Sequence, residues 1–161
     1  MKTCVFPGSF DPVTLGHMDL IRRAAGLFDR VTVTVMVNVH KRGALDADTR
    51  VKLLEKACAG LENVHVDRWE GLLAEYMRRQ GETCVIRGIR TTTEMEQELT
   101  SARINQLLNP SVETVFLPAS EGLNCVSSSA VRELMAFGGN PEPFLPPEVG
   151  KEIRNLLSKK I

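Results

Sequence analysis

The chain has 161 residues, 43% apolar and 25% charged, which is the balance of one ordinary globular domain able to bury roughly 70% of its unfolded surface without disulfides or metal. Its 20 basic and 20 acidic residues cancel, so no net positive field recruits a nucleic acid or an anionic membrane. Cys4, Cys58, Cys84 and Cys125 are widely spaced without a C-x-x-C and read as buried reduced thiols. Too few apolar residues precede Pro7-Gly8 for a signal peptide and no later run approaches the ~18 of a membrane span, so a cytoplasmic location is expected.

In chain order, Thr3 to Phe6 is a short β-like run ended by Pro7-Gly8, and Val31 to Val39 is a longer one rich in β-branched residues. Both are apolar without alternation, as buried parallel strands are. Between them Leu20, Ile21, Ala24, Leu27 and Phe28 recur at helical spacing. The alternation continues with a helix from Asp48 to Ala59, a strand from Val64 to Val66, a helix from Leu72 to Gln80 and a strand from Thr83 to Arg87. A helix from Thr93 to Leu108 is stopped by Asn109-Pro110, and a strand covers Thr114 to Leu117. A helix opens near Ser128, Gly138-Gly139-Asn140-Pro141 breaks it, and a last helix runs from Pro147 to Ser158. Five strands alternating with helices predict an α/β domain over the whole chain, a doubly wound five-stranded parallel sheet of Rossmann-like form. Ligands of such sheets collect beyond the carboxyl ends of the strands, which directs attention to the loops that begin at Pro7, Val37, Trp69, Arg87 and Leu117.

The first of these loops, Pro7-Gly8-Ser9-Phe10-Asp11-Pro12-Val13-Thr14-Leu15-Gly16-His17, leads directly into a helix. A helix start offers unpaired N–H groups and partial positive charge, Gly16 permits close approach of a phosphate, His17 can aim an imidazole N–H at it, and Ser9 adds a hydroxyl. By spacing alone the segment is equally a β-to-α turn punctuated by Gly and Pro. Arg87 and Arg90 end a buried strand with nothing acidic between them, and guanidinium groups suit bidentate phosphate binding, although solvated surface arginines have the same spacing. Lys41 and Arg42 add positive charge just beyond the second strand. Near the end Ser127, Ser128 and Ser129 precede an amphipathic helix marked by Val131, Leu134 and Met135; one serine serves as N-cap and the three together suggest a second phosphate cradle.

The T-x-G-H element at Thr14 to His17, the I-R-G-x-R element at Ile86 to Arg90 and the serine-rich run from Val126 to Arg132 resemble the nucleotidyltransferases related to class I aminoacyl-tRNA synthetases. The ordered set, with Phe144-Leu145-Pro146 near the end, is most similar to the bacterial phosphopantetheine adenylyltransferases. This resemblance implies transfer of AMP from ATP to 4'-phosphopantetheine, giving dephospho-coenzyme A and pyrophosphate, with Mg2+ and a homohexameric assembly. It further implies that Ser9, Lys41 and Arg87 hold the acceptor's phosphate and that Leu73 lines the pantetheine pocket. ATP would be held by Ser9, Phe10, His17, Gly88, Ile89, Arg90, Glu98, Leu123, Asn124, Cys125, Val126, Ser127, Ser128 and Ser129. His17, as transition-state stabiliser, would form the catalytic set with Lys41 and Arg90. Met95 and Gln97 stand where this family usually has aromatic residues, and Val39 where it commonly has proline.

An acceptor phosphate is already anionic near neutral pH, so attack on the α-phosphate needs neither a general base nor a protein nucleophile, and Mg2+ is expected to be held mainly by the phosphates. Two other readings share the same loops: an adenylyltransferase for a nicotinamide or nicotinate mononucleotide, for which the single Trp69 is the available flat surface, and a nucleotide-binding module without catalysis. Keeping His17, Lys41, Arg87 and Arg90 together argues against the module.

Overall fold

A computed structural model of the chain describes residues 1–40 and 43–158. Five parallel strands, β1 (Thr3–Gly8), β2 (Arg30–Val37), β3 (Val64–Glu70), β4 (Cys84–Ile89) and β5 (Glu113–Pro118), form one sheet in the order β3-β2-β1-β4-β5. The helices are α1 (Leu15–Leu27), α2 (Ala47–Cys58), α3 (Leu73–Gln80), α4 (Thr92–Leu108), α5 (Ser128–Ala136) and α6 (Pro147–Ser158), with a 3-10 turn at Glu142–Phe144 before the last. The strand order runs outward from β1 to β3 in one direction and from β4 to β5 in the other. It therefore reverses between β1 and β4, and the crevice beyond their carboxyl ends is where a doubly wound sheet places its ligand.

Two apolar clusters clamp the sheet. On one face Cys4, Phe6, Val31 and Val33 pack with Met18 and Ile21 of α1, Leu54 of α2, Val131 of α5 and Ile153 of α6. On the other, Val5 and Val85 meet Tyr76 and Met77 of α3 together with Val112. Strand neighbours feeding opposite faces explain why the runs look continuously apolar. Gly88 has a packing reason: a Cβ there would lie 2.2 Å from Leu20 Cδ1, so glycine lets α1 sit on β4.

Some bounds differ from those expected. β2 stops at Val37 and not Val39, and β3 extends to Glu70 where only Val64 to Val66 was predicted. β3 is an edge strand, so His65, Arg68 and Glu70 are carried at its exposed positions and mask its length in the sequence. The thiols also divide: Cys4 and Cys58 are buried, but Cys84 is half-buried and Cys125 is exposed, because residue 125 falls in an open turn before α5 and not in an apolar element. Among the described residues no helix is long and apolar enough to cross a membrane.

Candidate active site

A cavity of about 240 Å³ opens at the β1/β4 switch point. The β1–α1 turn supplies Ser9, Phe10, Thr14, Gly16 and His17, β4 and its following turn supply Arg87, Gly88 and Arg90, and the approach to α5 supplies Leu123, Val126, Ser127, Ser128 and Ser129. A second cavity of about 410 Å³ continues from it past Met36, Asn38, Leu73 and Asn105. The two share Pro7, Gly8, Ser9, Arg87 and Glu98. That shared corner makes one cleft with two compartments.

His17 is fixed by its own helix start. Thr14 is the N-cap of α1 and forms a capping box in which histidine stands where glutamate is usual: the His17 amide donates to Thr14 Oγ1 and the Thr14 amide donates to His17 Nδ1 at 3.1 Å. A nitrogen that accepts carries no proton, so the neutral ring bears its hydrogen on Nε2. Burial, reinforced by the positive charges of Arg90 and Arg87, lowers the His17 pKa from 6.5 to about 4. The imidazole is therefore a neutral donor at physiological pH, seated edge-on against the Phe10 ring at 5.0 Å.

Phe10 itself is 1% exposed and has φ +46°, in the left-handed region that an aromatic residue enters at a cost of about 1–3 kcal/mol. Its ring belongs to the core, so what it can offer a ligand is backbone. The turn around it is over-determined, as such a conformation requires. Asp11 accepts the Ala44 and Leu45 amides, one on each carboxylate oxygen at 2.8 Å, Ser128 donates to the Pro12 carbonyl, and Arg132 donates to the Asp11 carbonyl.

Gly16 lines the cavity and has a packing reason besides the one read in the sequence. A Cβ on it would stand 3.1 Å from the Val126 carbonyl, so its absence brings the start of α1 against the segment that leads into α5. Two helix N-termini thereby converge on one cavity. In α5 Ser127 is the N-cap, accepting from Ala130, while Ser128 and Ser129 lie in the first turn, whose leading amides have no intrahelical acceptor.

The arginines are not free. Arg87 Nε donates to Glu98 at 2.7 Å and its Nη1 to the Pro7 carbonyl, while Arg90 Nη2 donates to Glu94 at 2.7 Å. Nothing acidic lies between the arginines in sequence, but α4 brings Glu94 and Glu98 back over them, one turn apart on a single helix face. Glu94 is held below its ordinary pKa; burial opposes this, and the Arg90 hydrogen bonds and charge prevail.

Of the other residues read from the sequence, Leu73 lines the second compartment, while Asn124 faces a separate groove with Arg90 and Thr93. Ile89 ends β4 and gives its carbonyl to Ala119, and neither it nor the exposed Cys125 lines either cavity. Lys41 lies outside the described residues. Trp69 offers no flat surface to the cleft, because it packs on Tyr76 with ring centroids 5.6 Å apart, lies under Arg79 and donates to the Leu72 carbonyl. Sequence reading passed over Asp11, Arg50, Glu94 and Arg132. Arg50 alone left a signal, standing three and four residues before Leu53 and Leu54 on the apolar face of α2.

A cytidylyltransferase-like family model matches residues 5–134. The chain is similar to phosphopantetheine adenylyltransferases from Clostridium novyi, at 40% identity over 99% of both chains, and from Rubrobacter xylanophilus, at 43% over 99% of this chain and 97% of the relative. A third, from Psychromonas ingrahamii, is 46% identical over 91% of each. In fold it is similar to a solved structure from Vibrio parahaemolyticus described as a candidate nicotinate-nucleotide adenylyltransferase, with a TM-score of 0.69 over 96% of this chain and 93% of the other, at 18% identity.

Proposed function

The chain belongs to the phosphopantetheine adenylyltransferases, within the cytidylyltransferase-like family, and from that premise we propose how its cleft transfers AMP from ATP to 4'-phosphopantetheine, giving dephospho-coenzyme A and pyrophosphate. The observation that carries the reading is the pair of compartments joined at Ser9 and Arg87, one flanked by two helix N-termini and the other running past Leu73. A triphosphate fits the first by its charge, and a long, mostly uncharged acceptor fits the second with its phosphate at the shared corner.

In this scheme Ser9, Arg87 and Lys41 hold the acceptor phosphate, and the turn at Gly88, Ile89 and Arg90 holds ATP with the run from Leu123 to Ser129. An acceptor oxygen attacks the α-phosphorus in line, the bond to the bridging oxygen breaks, and pyrophosphate leaves towards Arg90 and the α5 N-terminus. His17 Nε2–H donates to the α-phosphate oxygens as charge gathers on them. A donor with a pKa near 4 neither takes nor gives a proton during the step, so its contribution is electrostatic. Mg2+, when bound, neutralises phosphate charge; Glu94 and Glu98 are committed to arginines, and no cluster of three or more metal-ligating side chains exists among the described residues, which leaves phosphate oxygens as the fitting ligands.

We also propose a homohexamer. The seventeen-residue α4 buries no residue, and Ile104, Leu107 and Leu108 on it are 52%, 83% and 46% exposed. Such an uncovered apolar face supports association with further copies, and the count of six comes from the family resemblance. Pyrophosphate release from ATP, measured with 4'-phosphopantetheine and with nicotinate mononucleotide, tests the assignment: release with the first acceptor is expected, and release with the second alone overturns it.

A further inference from the structure

Behind Ser9, one layer away from the cleft, stands a buried arginine. Arg50 is 8% exposed, and its Nη1 donates to the Ser9 carbonyl at 3.0 Å while its Nε is buried with no hydrogen-bond partner. The cleft arginines each rest on a carboxylate, Arg87 on Glu98 and Arg90 on Glu94, but among the described residues no carboxylate pairs with Arg50. An arginine cannot shed its charge, and a buried charge without a partner is costly. Among the described residues the side-chain hydrogen bond of Arg50 goes to the backbone of Ser9, and this sets the direction from which compensation by a bound group would come.

We infer that Arg50 is a positioning residue for the acceptor's phosphate: it fixes the Ser9 backbone, and its unpaired charge is balanced when a phosphate monoester occupies the corner between Ser9 and Arg87. This rests on the reading of that corner as the acceptor-phosphate site. The surrounding staple supports it. Asp11 ties the residues just before α2, Ala44 and Leu45, to the same turn, so Arg50's helix and Ser9's turn are held as one unit. The arrangement makes the enzyme selective for a phosphorylated acceptor, because an acceptor without phosphate leaves Arg50 uncompensated.

The test uses the full chain with Arg50→Gln and Arg50→Lys. Inorganic phosphate should raise the unfolding temperature of the wild type, and less than about half of that rise should survive in Arg50→Gln. In steady state KM for 4'-phosphopantetheine should increase about tenfold in Arg50→Gln with KM for ATP held within about twofold, and Arg50→Lys should recover part of the loss. An unchanged phosphate response with an unchanged acceptor KM overturns the inference. So does a parallel rise of both KM values, which makes Arg50 a structural residue only. Should Arg50→Gln fail to fold, Arg50→Lys carries the comparison: a lower acceptor affinity at constant ATP affinity is expected, and equal affinities refute it. The phosphate response needs no turnover, so an inactive wild type with 4'-phosphopantetheine would count against the assigned reaction and leave Arg50 still measurable.

Discussion

Replacing His17 with alanine removes two hydrogen bonds that act on different quantities. Nδ1 no longer accepts the amide of Thr14, a residue 1% exposed, and orphaning a buried amide costs about 1–3 kcal/mol of folding stability. Loss of the Nε2–H donor removes charge stabilisation at the α-phosphate, which for a single donor amounts to roughly 10²–10³ in kcat. Alignment of the two substrates, able to supply ~7–11 kcal/mol, is carried by other residues, so measurable activity should remain and KM for ATP should change only a few-fold. Pyrophosphate release at saturation in both substrates, beside a denaturant titration, reads the two effects separately. A kcat intact at saturation, with only KM raised, would refute the role. The titration of the ring gives an independent check. With the native pKa lowered from 6.5 to about 4, the unfolded chain binds the proton first as pH falls. Stability is then fully present above about 6.5 and lost progressively down to about 4, by on the order of 3 kcal/mol, with no further loss below. A His17 imidazole resonance that titrates near 6.5 in the native protein would contradict the half-buried, neutral ring.

Further outcomes follow from local geometry. Gly88→Ala brings a Cβ to 2.2 Å from the terminal Cδ1 of Leu20, which must turn aside in a packed interior, and should cost about 1 kcal/mol in chemical denaturation, whereas a loss below a few tenths would mean that Leu20 repacks freely. Asp11→Ala releases the Ala44 and Leu45 amides from the β1–α1 turn and should raise KM for the acceptor by about tenfold or more, read in the same steady-state assay. Leu107→Glu on the uncovered face of α4 should shift the mass seen by light scattering from that of the proposed hexamer to smaller species, and an unaltered mass would remove this face from the assembly. Burial pushes Cys4 up to about 12 and Cys58 up to about 11 and also raises Cys84, so brief alkylation at pH 8 should modify Cys125 alone by mass spectrometry.

Most strands and helices are legible because the buried runs are apolar and α1, α2, α3 and α5 carry an apolar stripe, whereas α4 buries no residue and is marked by the Asn109-Pro110 stop; β3 reads short because an edge strand carries His65, Asp67 and Arg68 among its valines. Within the site, Thr14 to His17 reads as a helix start offering anion-binding groups, but which ring nitrogen bears the proton depends on a backbone bond from Thr14 that no residue pattern encodes. The pairing of Arg87 with Glu98 and Arg90 with Glu94 needs α4 folded back across the end of β4, and so lies in tertiary structure. Gly16 shows the same limit: a glycine at a helix start suggests phosphate approach, and the group that crowds it is the carbonyl of Val126, 110 residues away in sequence. Arg50 was available in principle, as a charge on an apolar helical stripe.

In the proposed mechanism acceptor and ATP lie side by side in the cleft and react in one displacement, with no adenylyl group passing through the protein. ATP made chiral at the α-phosphorus by sulfur substitution, turned over with 4'-phosphopantetheine, tests this directly. The thio-substituted dephospho-coenzyme A should form with inverted configuration at phosphorus; retention would reveal a covalent intermediate, and absence of that product with this acceptor would remove the assigned reaction.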